Sequence, residues 1–287
     1  MKSVNAPENR AYKRVIYYSD ELNDDFAGTK ISTNTVDHTF PFVHKNPFWN
    51  ACAFVLYYVV ALPLVYLAAK LYLGLKFENR RALKGLRKSG FYLYGNHTQQ
   101  LDAFVPALAA FPKRAYIVAN ADAVSIPFLR NIVMMLGAIP VPTSTSGLRG
   151  FTNALSTRIS QKRCVTEFPE RHIWPFYTGI RPFPDNSFHH PIRDNVPLVA
   201  MVTTYRRRRG LLAWVKRPAM TVTFSEPILP SAGLSVQAAK TELRSTTAKA
   251  ELRSTTAKAE LRDKVYAFMK DRSGTVDNVE YYHYVKR

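Results

Sequence analysis

The sequence predicts an α/β fold: a mostly parallel sheet flanked by helices, preceded by an N-terminal membrane-associated helix. Three observations carry this reading. Short apolar runs alternate with helical periodicity from about residue 90, a long uncharged apolar run lies ahead of that region, and polar residues gather where the first strand ends. In chain order, "GFYLYGN" reads as a strand and "LDAFVPALAAF" as a helix. "RAYIVAN" reads as a strand and "SIPFLRNIVMML" as a helix whose first turn tolerates Pro127. "GAIPVP" is a short strand, "GLRGFTNALSTRISQ" a helix, and "RCVTEFP" and "VPLVAMVTTYR" are strands. "AMTVTFSEPI" adds a late strand, expected at an edge.

Composition and charge narrow the partners. The 287 residues carry 40 Lys and Arg against 21 Asp and Glu, a formal net charge of +19. Residues 1–50 hold six basic and six acidic side chains, so the whole excess lies in 51–287. A surplus of this size points to an anionic partner: nucleic acid, a phospholipid surface or a phosphorylated substrate. Nucleic acid lacks support, because no helix-turn-helix, zinc-ligand or RNP-type signature is present and the basic residues adjoin an apolar segment. Cys52 and Cys164 form no disulfide or metal-ligand spacing, which fits a reducing compartment.

Met1 to Asp25 lacks the apolar core of a signal peptide. The run "ACAFVLYYVVALPLVYLAA", residues 51–69, has no charge and is just long enough to span a bilayer as a helix. Pro63 interrupts it, and Tyr57, Tyr58 and Tyr66 favour the interface, so spanning and lying in one leaflet both remain open, as does a buried core helix. Lys70, Lys76, Arg80, Arg81, Lys84, Arg87 and Lys88 follow, which places that side on the cytoplasmic face of the cell membrane.

Four regions result: an extended N-terminal cover over 1–48, the apolar segment over 49–79, the α/β domain over 80–232, and a C-terminal helix with its tail over 233–287. The last contains "TELRSTTAKAELRSTTAKAELRDK", repeating every nine residues at Glu242, Glu251 and Glu260. Nine residues at about 100° each turn successive copies to opposite helix faces, so Leu243, Leu252 and Leu261 cannot share one buried stripe. The repeat reads as a duplication lengthening a surface helix.

"YGNHTQQLDAF" sets His97 five positions before Asp102, and "HHPIRD" does the same with His189 and Asp194. Spacing cannot choose between them, since chance supplies roughly 0.3 such pairs in a chain of this kind. On a regular helix the two side chains would stand about 140° apart. They meet only if the histidine stands in a loop and the aspartate in the first helical turn. His97 and Asp102 have that context, with strand "GFYLYG" before and a helix from Leu101 after; His189 has not. Asp102 would orient the imidazole and His97 would act as general base. The stretch has no serine or cysteine, so a substrate hydroxyl takes the nucleophile's place.

Four ordered blocks extend this reading. His97 with Asp102, "GAIPVP", "FPE" (168–170) and "VPLVA" (196–200) together resemble the motifs of the PlsC-like glycerol-phosphate and lysophosphatidate acyltransferase family, and "FPERHIWPFYTGIRPFPDNSFHHPIRDNVP", "YYSDELNDDF" and "YLYGNHTQ" resemble its Gram-positive-type subgroup. The resemblance implies the glycerol-3-phosphate acyltransferase-like fold. It also implies transfer of a fatty acyl group from acyl-CoA or acyl carrier protein to the free hydroxyl of a lysophospholipid acceptor, lysophosphatidate above all, at a phospholipid membrane. No metal or bound cofactor is required; the thioester is a co-substrate. His97 and Asp102 would be catalytic, and Asn96, Pro169 and Glu170 would bind substrate. Where the family usually reads F-P-E-G-T-R, this chain has Arg171 for the Gly and no Arg at the usual place, so Arg171 and Arg181 are the phosphate candidates, with Arg149 a weaker one. The altered block leaves a second reading: an acyltransferase-like membrane-binding protein with another acceptor or no activity.

Outside the blocks, "YRRRRG" suits either an acidic carrier and lipid headgroups or a solvated turn. Trp174, Phe176 and Tyr177 suit an acyl entrance, the membrane interface or local packing. Pro140 and Pro197 read as strand-end residues.

Overall fold

The computed structural model describes residues 12–26, 32–126, 128–230, 247–275 and 277–287. Strand β1 (Arg14–Tyr18) lies in the cover. The main sheet is built from β2 (Lys76–Glu78), β3 (Phe91–Gly95), β4 (Ala115–Ala119), β5 (Ala138–Pro140), β6 (Cys164–Glu167), β7 (Leu198–Arg206) and β8 (Ala219–Phe224), and β9 (Tyr282–Lys286) ends the chain. The seven strands lie in the order β2-β8-β7-β3-β6-β4-β5. All neighbours run parallel except β7 and β8, which form a hairpin-like antiparallel pair. The predicted α/β class with a mostly parallel sheet is therefore the observed one.

β3 sits at the centre, and its alternation divides the core. Tyr92 and Tyr94 face one apolar cluster and Phe91 and Leu93 the other, all of them buried. A strand covered on both faces shows no polar alternation, which is why "FYLY" reads as continuous apolar sequence. The late strand β8 is not at an edge. β2 covers its outer side, and three residues of "KFE" are too few to reveal a strand within a segment read as membrane-associated.

The apolar segment forms one long helical run. Helix α1 (Pro47–Phe54) is capped by Asn46, whose side chain accepts from the Phe48 and Trp49 amides. A π-helical stretch over Val55–Ala61 leads into α2 (Leu62–Leu71). There the Leu62 amide reaches back to the Tyr57 carbonyl, and the widened turn precedes Pro63, which has no N–H to continue an α ladder. Pro47–Leu71 is long and apolar enough to cross a membrane. One face docks on the domain: the Ala115 amide donates to the Tyr57 hydroxyl at 3.0 Å and the Tyr58 hydroxyl donates to the Pro112 carbonyl at 3.0 Å. The opposite face leaves Val59, Leu64, Leu67 and Leu71 exposed.

Helix α3 (Val105–Ala110) follows β3, and α4 (Arg130–Met135) precedes β5. α4 starts later than its sequence pattern indicates, because Phe128 takes a left-handed φ of 64° that no helix continues through; Pro127 lies outside the described residues. α5 (Leu148–Ser160) and α6 (His189–Asp194) cover the Tyr92 and Tyr94 face with α7 (Thr247–Ser273). α7 is not the surface helix expected. Ala257, Leu261, Val265 and Met269, spaced by four, form a buried row in the core, a period the nine-residue repeat conceals. Glu242 and Leu243 of the first copy lie outside the described residues.

β1 and β9 pair in parallel as a separate two-stranded sheet, so the N-terminal cover includes the C-terminal tail. Leu261→Ala should lower stability by about 3 kcal/mol in chemical denaturation followed by circular dichroism, since it opens a cavity beneath the sheet. Exposed Lys264→Ala should change it by less than about 0.5 kcal/mol.

Candidate active site

His97 stands just beyond the C-terminal end of β3, where open α/β sheets place their ligands. A 3₁₀ turn over Gln100–Phe104 then begins with a capping box: Gln99 is the cap and Asp102 the third residue. The fully buried Asp102 turns Oδ2 back along the loop, accepting from the Thr98 amide at 2.6 Å and the Gln99 amide at 2.7 Å. The same oxygen lies 3.5 Å from His97 Nδ1. The loop-and-first-turn geometry required by the spacing is thus present. The His97 ring stacks on Phe168 at 4.4 Å, and with Nδ1 toward Asp102 its Nε2 is left for the cavity that the ring lines.

The backbone of His97 is held from below. Its amide donates to Glu170 Oε2 at 3.1 Å, and its carbonyl accepts from the Trp174 amide at 3.1 Å. Glu170 in turn faces Arg181: the Arg181 amide donates to Oε1 at 2.9 Å, and Nη2 lies 3.6 Å from Oε2. Burial pushes the Glu170 carboxyl up, against the opposing pull of Arg181 and the two amides. Burial likewise pushes Arg181 down, and Glu170 opposes it. Arg181 also donates to the carbonyls of Glu21, Glu170 and His172 and stacks over Trp174 at 4.9 Å.

Several residues expected to bind substrate make contacts within the protein. Glu170 and Arg181 are 4% and 1% exposed and do not line the cavity. Asn96 spends its amide on β7, donating to the Thr203 carbonyl at 3.1 Å and accepting from the Thr203 amide at 2.8 Å. Trp174 and Phe176 are buried in local aromatic packing: Trp174 stacks on Tyr284 at 5.0 Å and Phe176 tilts against Tyr205 at 5.1 Å. Exposed Arg149 is outside the cavity. Arg171 and Pro169 do line it. Arg171 has a φ of 66°, a left-handed conformation that favours the glycine of the common motif.

The cavity is about 840 Å³ and carries His97, Glu167, Pro169, Arg171, His189 and His190 on its walls. Ala103, Ile117, Ala119 and Ala123 also line a second, almost wholly apolar cavity of about 160 Å³, bordered by Tyr57, Leu62 and Val65 of the long helix. The decoy pair does not form. His189 Nδ1 lies 2.6 Å from the Asn186 carbonyl, while Asp194 accepts from the Tyr92 hydroxyl at 2.6 Å and the Ser156 hydroxyl at 2.7 Å. His189 nevertheless borders the cavity, as do Glu167 and His190, which sequence reasoning missed. Burial pushes the Glu167 carboxyl up to about 7 and the His190 imidazole down to about 2. "TEFPE" offers a signal only in retrospect: a carboxylate at the last position of a strand sealed on both faces.

Half of "YRRRRG" is structural. Arg206 donates to the Met220 and Gly74 carbonyls, and Arg208 to the Arg217 and Tyr72 carbonyls, while Arg207 and Arg209 are exposed.

Residues 75–204 match the model of the Acyltransferase family. The acyltransferase match begins just before β2, ends within β7, and takes in His97, Asp102, Glu170 and Arg181. It supports acyl transfer as the chemistry of this region. Among solved structures the chain is similar to the 1-acyl-sn-glycerophosphate (LPA) acyltransferase PlsC from Thermotoga maritima, at 14% sequence identity, with 81% of this chain and 88% of that chain covered and a TM-score of 0.49. No curated protein matches the chain.

Glu170→Gln should destabilise the protein by roughly 3–5 kcal/mol, because it leaves Arg181 buried without its counter-charge. Thermal or chemical unfolding measures this directly. Glu167 holds its proton in the folded state up to about pH 7, against an ordinary value of 4.5, so its contribution is present below 4.5 and lost as pH rises through 7. Glu167→Gln should therefore flatten the wild-type decline in melting temperature between those two pH values.

Proposed function

We propose that the protein moves a fatty acyl group from an acyl-CoA or acyl carrier protein thioester to the free hydroxyl of lysophosphatidate or a similar lysophospholipid. The observation that carries this reading is His97, paired with Asp102, on the wall of a cavity that shares lining residues with a second, almost wholly apolar one beside the long helix. An acyl chain needs the apolar space; an alcohol acceptor needs the base. His97 Nε2 takes the proton of the acceptor hydroxyl, and the oxygen attacks the thioester carbonyl. As the tetrahedral intermediate collapses, the C–S bond breaks and the thiol leaves with the proton returned by His97. Asp102 supports the charged imidazole between these events.

Arg171 serves the acceptor's phosphate in this reading. Arg171 lines the cavity, and a cation at a backbone position suited to glycine implies a use that offsets the strain. The long helix supplies the membrane contact. Because one face is docked on the domain and the other is apolar and exposed, the protein sits on one leaflet at the cytoplasmic face instead of crossing the bilayer.

The test uses purified protein, labelled acyl-CoA or acyl carrier protein, and a panel of lysophospholipids. His97→Ala should lower turnover by roughly 10²–10⁴-fold, whereas His189→Ala should keep it within about threefold. Turnover unchanged in His97→Ala rules the mechanism out. Arg171→Gly should gain about 1 kcal/mol of stability by relieving the left-handed φ while raising KM for a phosphate-bearing acceptor; an unchanged KM removes Arg171 from the phosphate site.

A further inference from the structure

Behind the His97–Asp102 pair runs a chain of polar side chains that the proposed reaction does not use. Arg217 donates through Nη2 to Gln99 Oε1. Gln99 Nε2 lies 3.0 Å from the Tyr205 hydroxyl, that hydroxyl lies 2.7 Å from Thr98 Oγ1, and Thr98 Oγ1 lies 3.3 Å from Asp102 Oδ2. Gln99, Thr98, Tyr205 and Asp102 are all buried, so the three links from Gln99 to Asp102 are shielded from bulk water, while the Arg217 link is part-buried.

The two ends set the direction of every bond between them. A guanidinium can only donate and a carboxylate can only accept. Gln99 must therefore turn its oxygen to Arg217 and its amide to Tyr205. Tyr205, accepting from Gln99, has its proton free for Thr98, and Thr98 passes its own to Asp102. Each donor is polarised by the one behind it, so the series holds Asp102 Oδ2 more firmly than isolated bonds would. The terminal oxygen is the one facing His97 Nδ1, and it also takes the Thr98 and Gln99 amides, which prevents the carboxylate from rotating away.

We propose that Tyr205 is a positioning residue for acyl transfer, acting through Thr98 on Asp102 and hence on the His97 ring, with Arg217 as the cationic origin of the series. This rests on the function proposed above. Tyr205 is held firmly enough to act in this way. It lies on β7, its backbone amide donates to Asn278 Oδ1 at 3.0 Å, and its ring packs on Phe176. Arg217 is fixed in turn by stacking over Tyr72 at 4.0 Å, immediately after α2.

Tyr205→Phe keeps the ring and removes the link, and Thr98→Val breaks the next link with little change of shape. Each should lower kcat by roughly tenfold with KM for both substrates within about twofold, and the double variant should be no slower than the slower single one. A kcat equal to wild type in a folded single variant, losses that multiply in the double variant, or losses confined to KM would each overturn the proposal. Where one variant fails to fold, the other carries the same comparison. Histidine-labelled ¹⁵N NMR, with His97→Ala to identify the resonance, reads the link without turnover. Both single variants should shift the His97 Nδ1 signal, and an unmoved signal refutes the relay. A shifted signal in a protein that acylates no lysophospholipid would instead refute the function and leave the relay standing.

Discussion

A carboxylate and a guanidinium buried together have to be satisfied on every side, and the Glu170–Arg181 pair meets that demand by drawing in much of the surrounding chain. Glu170 takes the His97 amide and the Arg181 amide; Arg181 takes carbonyls from Glu21, Glu170 and His172 and the face of Trp174. The His97 loop, the loop after β6 and the N-terminal cover are thereby tied to one point. Isolated, either charge would cost several kcal/mol to bury. Together they set the height of His97 above the end of β3, and the covering sheet of β1 and β9 keeps the pair dry.

The sheet supplies two environments from one strand end. On one side the larger cavity gathers His97, Arg171 and Glu167; on the other, small side chains such as Ala103 and Ala119 leave room for apolar matter between the sheet and the long helix. The helix, long and apolar enough to cross a membrane, is consequently also part of the enclosure. Its π-helical turn places Tyr57 where the hydroxyl meets the first amide of β4, joining the apolar segment to the domain by a specific bond.

Much of this was legible in the sequence where a local rule governs it. Strands sealed on both faces read as apolar runs, and the strand–loop–turn context separated His97 from His189 when spacing could not. What escaped depended on tertiary placement. Arg181 and Glu170 have the chemistry of phosphate binding and acid–base work, and nothing local reveals that they are buried against each other. Asn96 likewise looks like a ligand until β7 is seen beside it. β2 is too short to carry a period, and the buried row of α7 was masked by a nine-residue repeat whose spacing differs from the four-residue row that packs.

The parallel pairing of β1 with β9 has a consequence for biosynthesis. β1 leaves the ribosome early, and its partner is made only after α7. Until then the loop carrying Glu170 lacks Tyr284, whose ring stacks on Trp174 and whose hydroxyl donates to the Pro175 carbonyl. A nascent chain can already expose its apolar helix while this part of the enclosure is unfinished, so the order of synthesis separates the two in time.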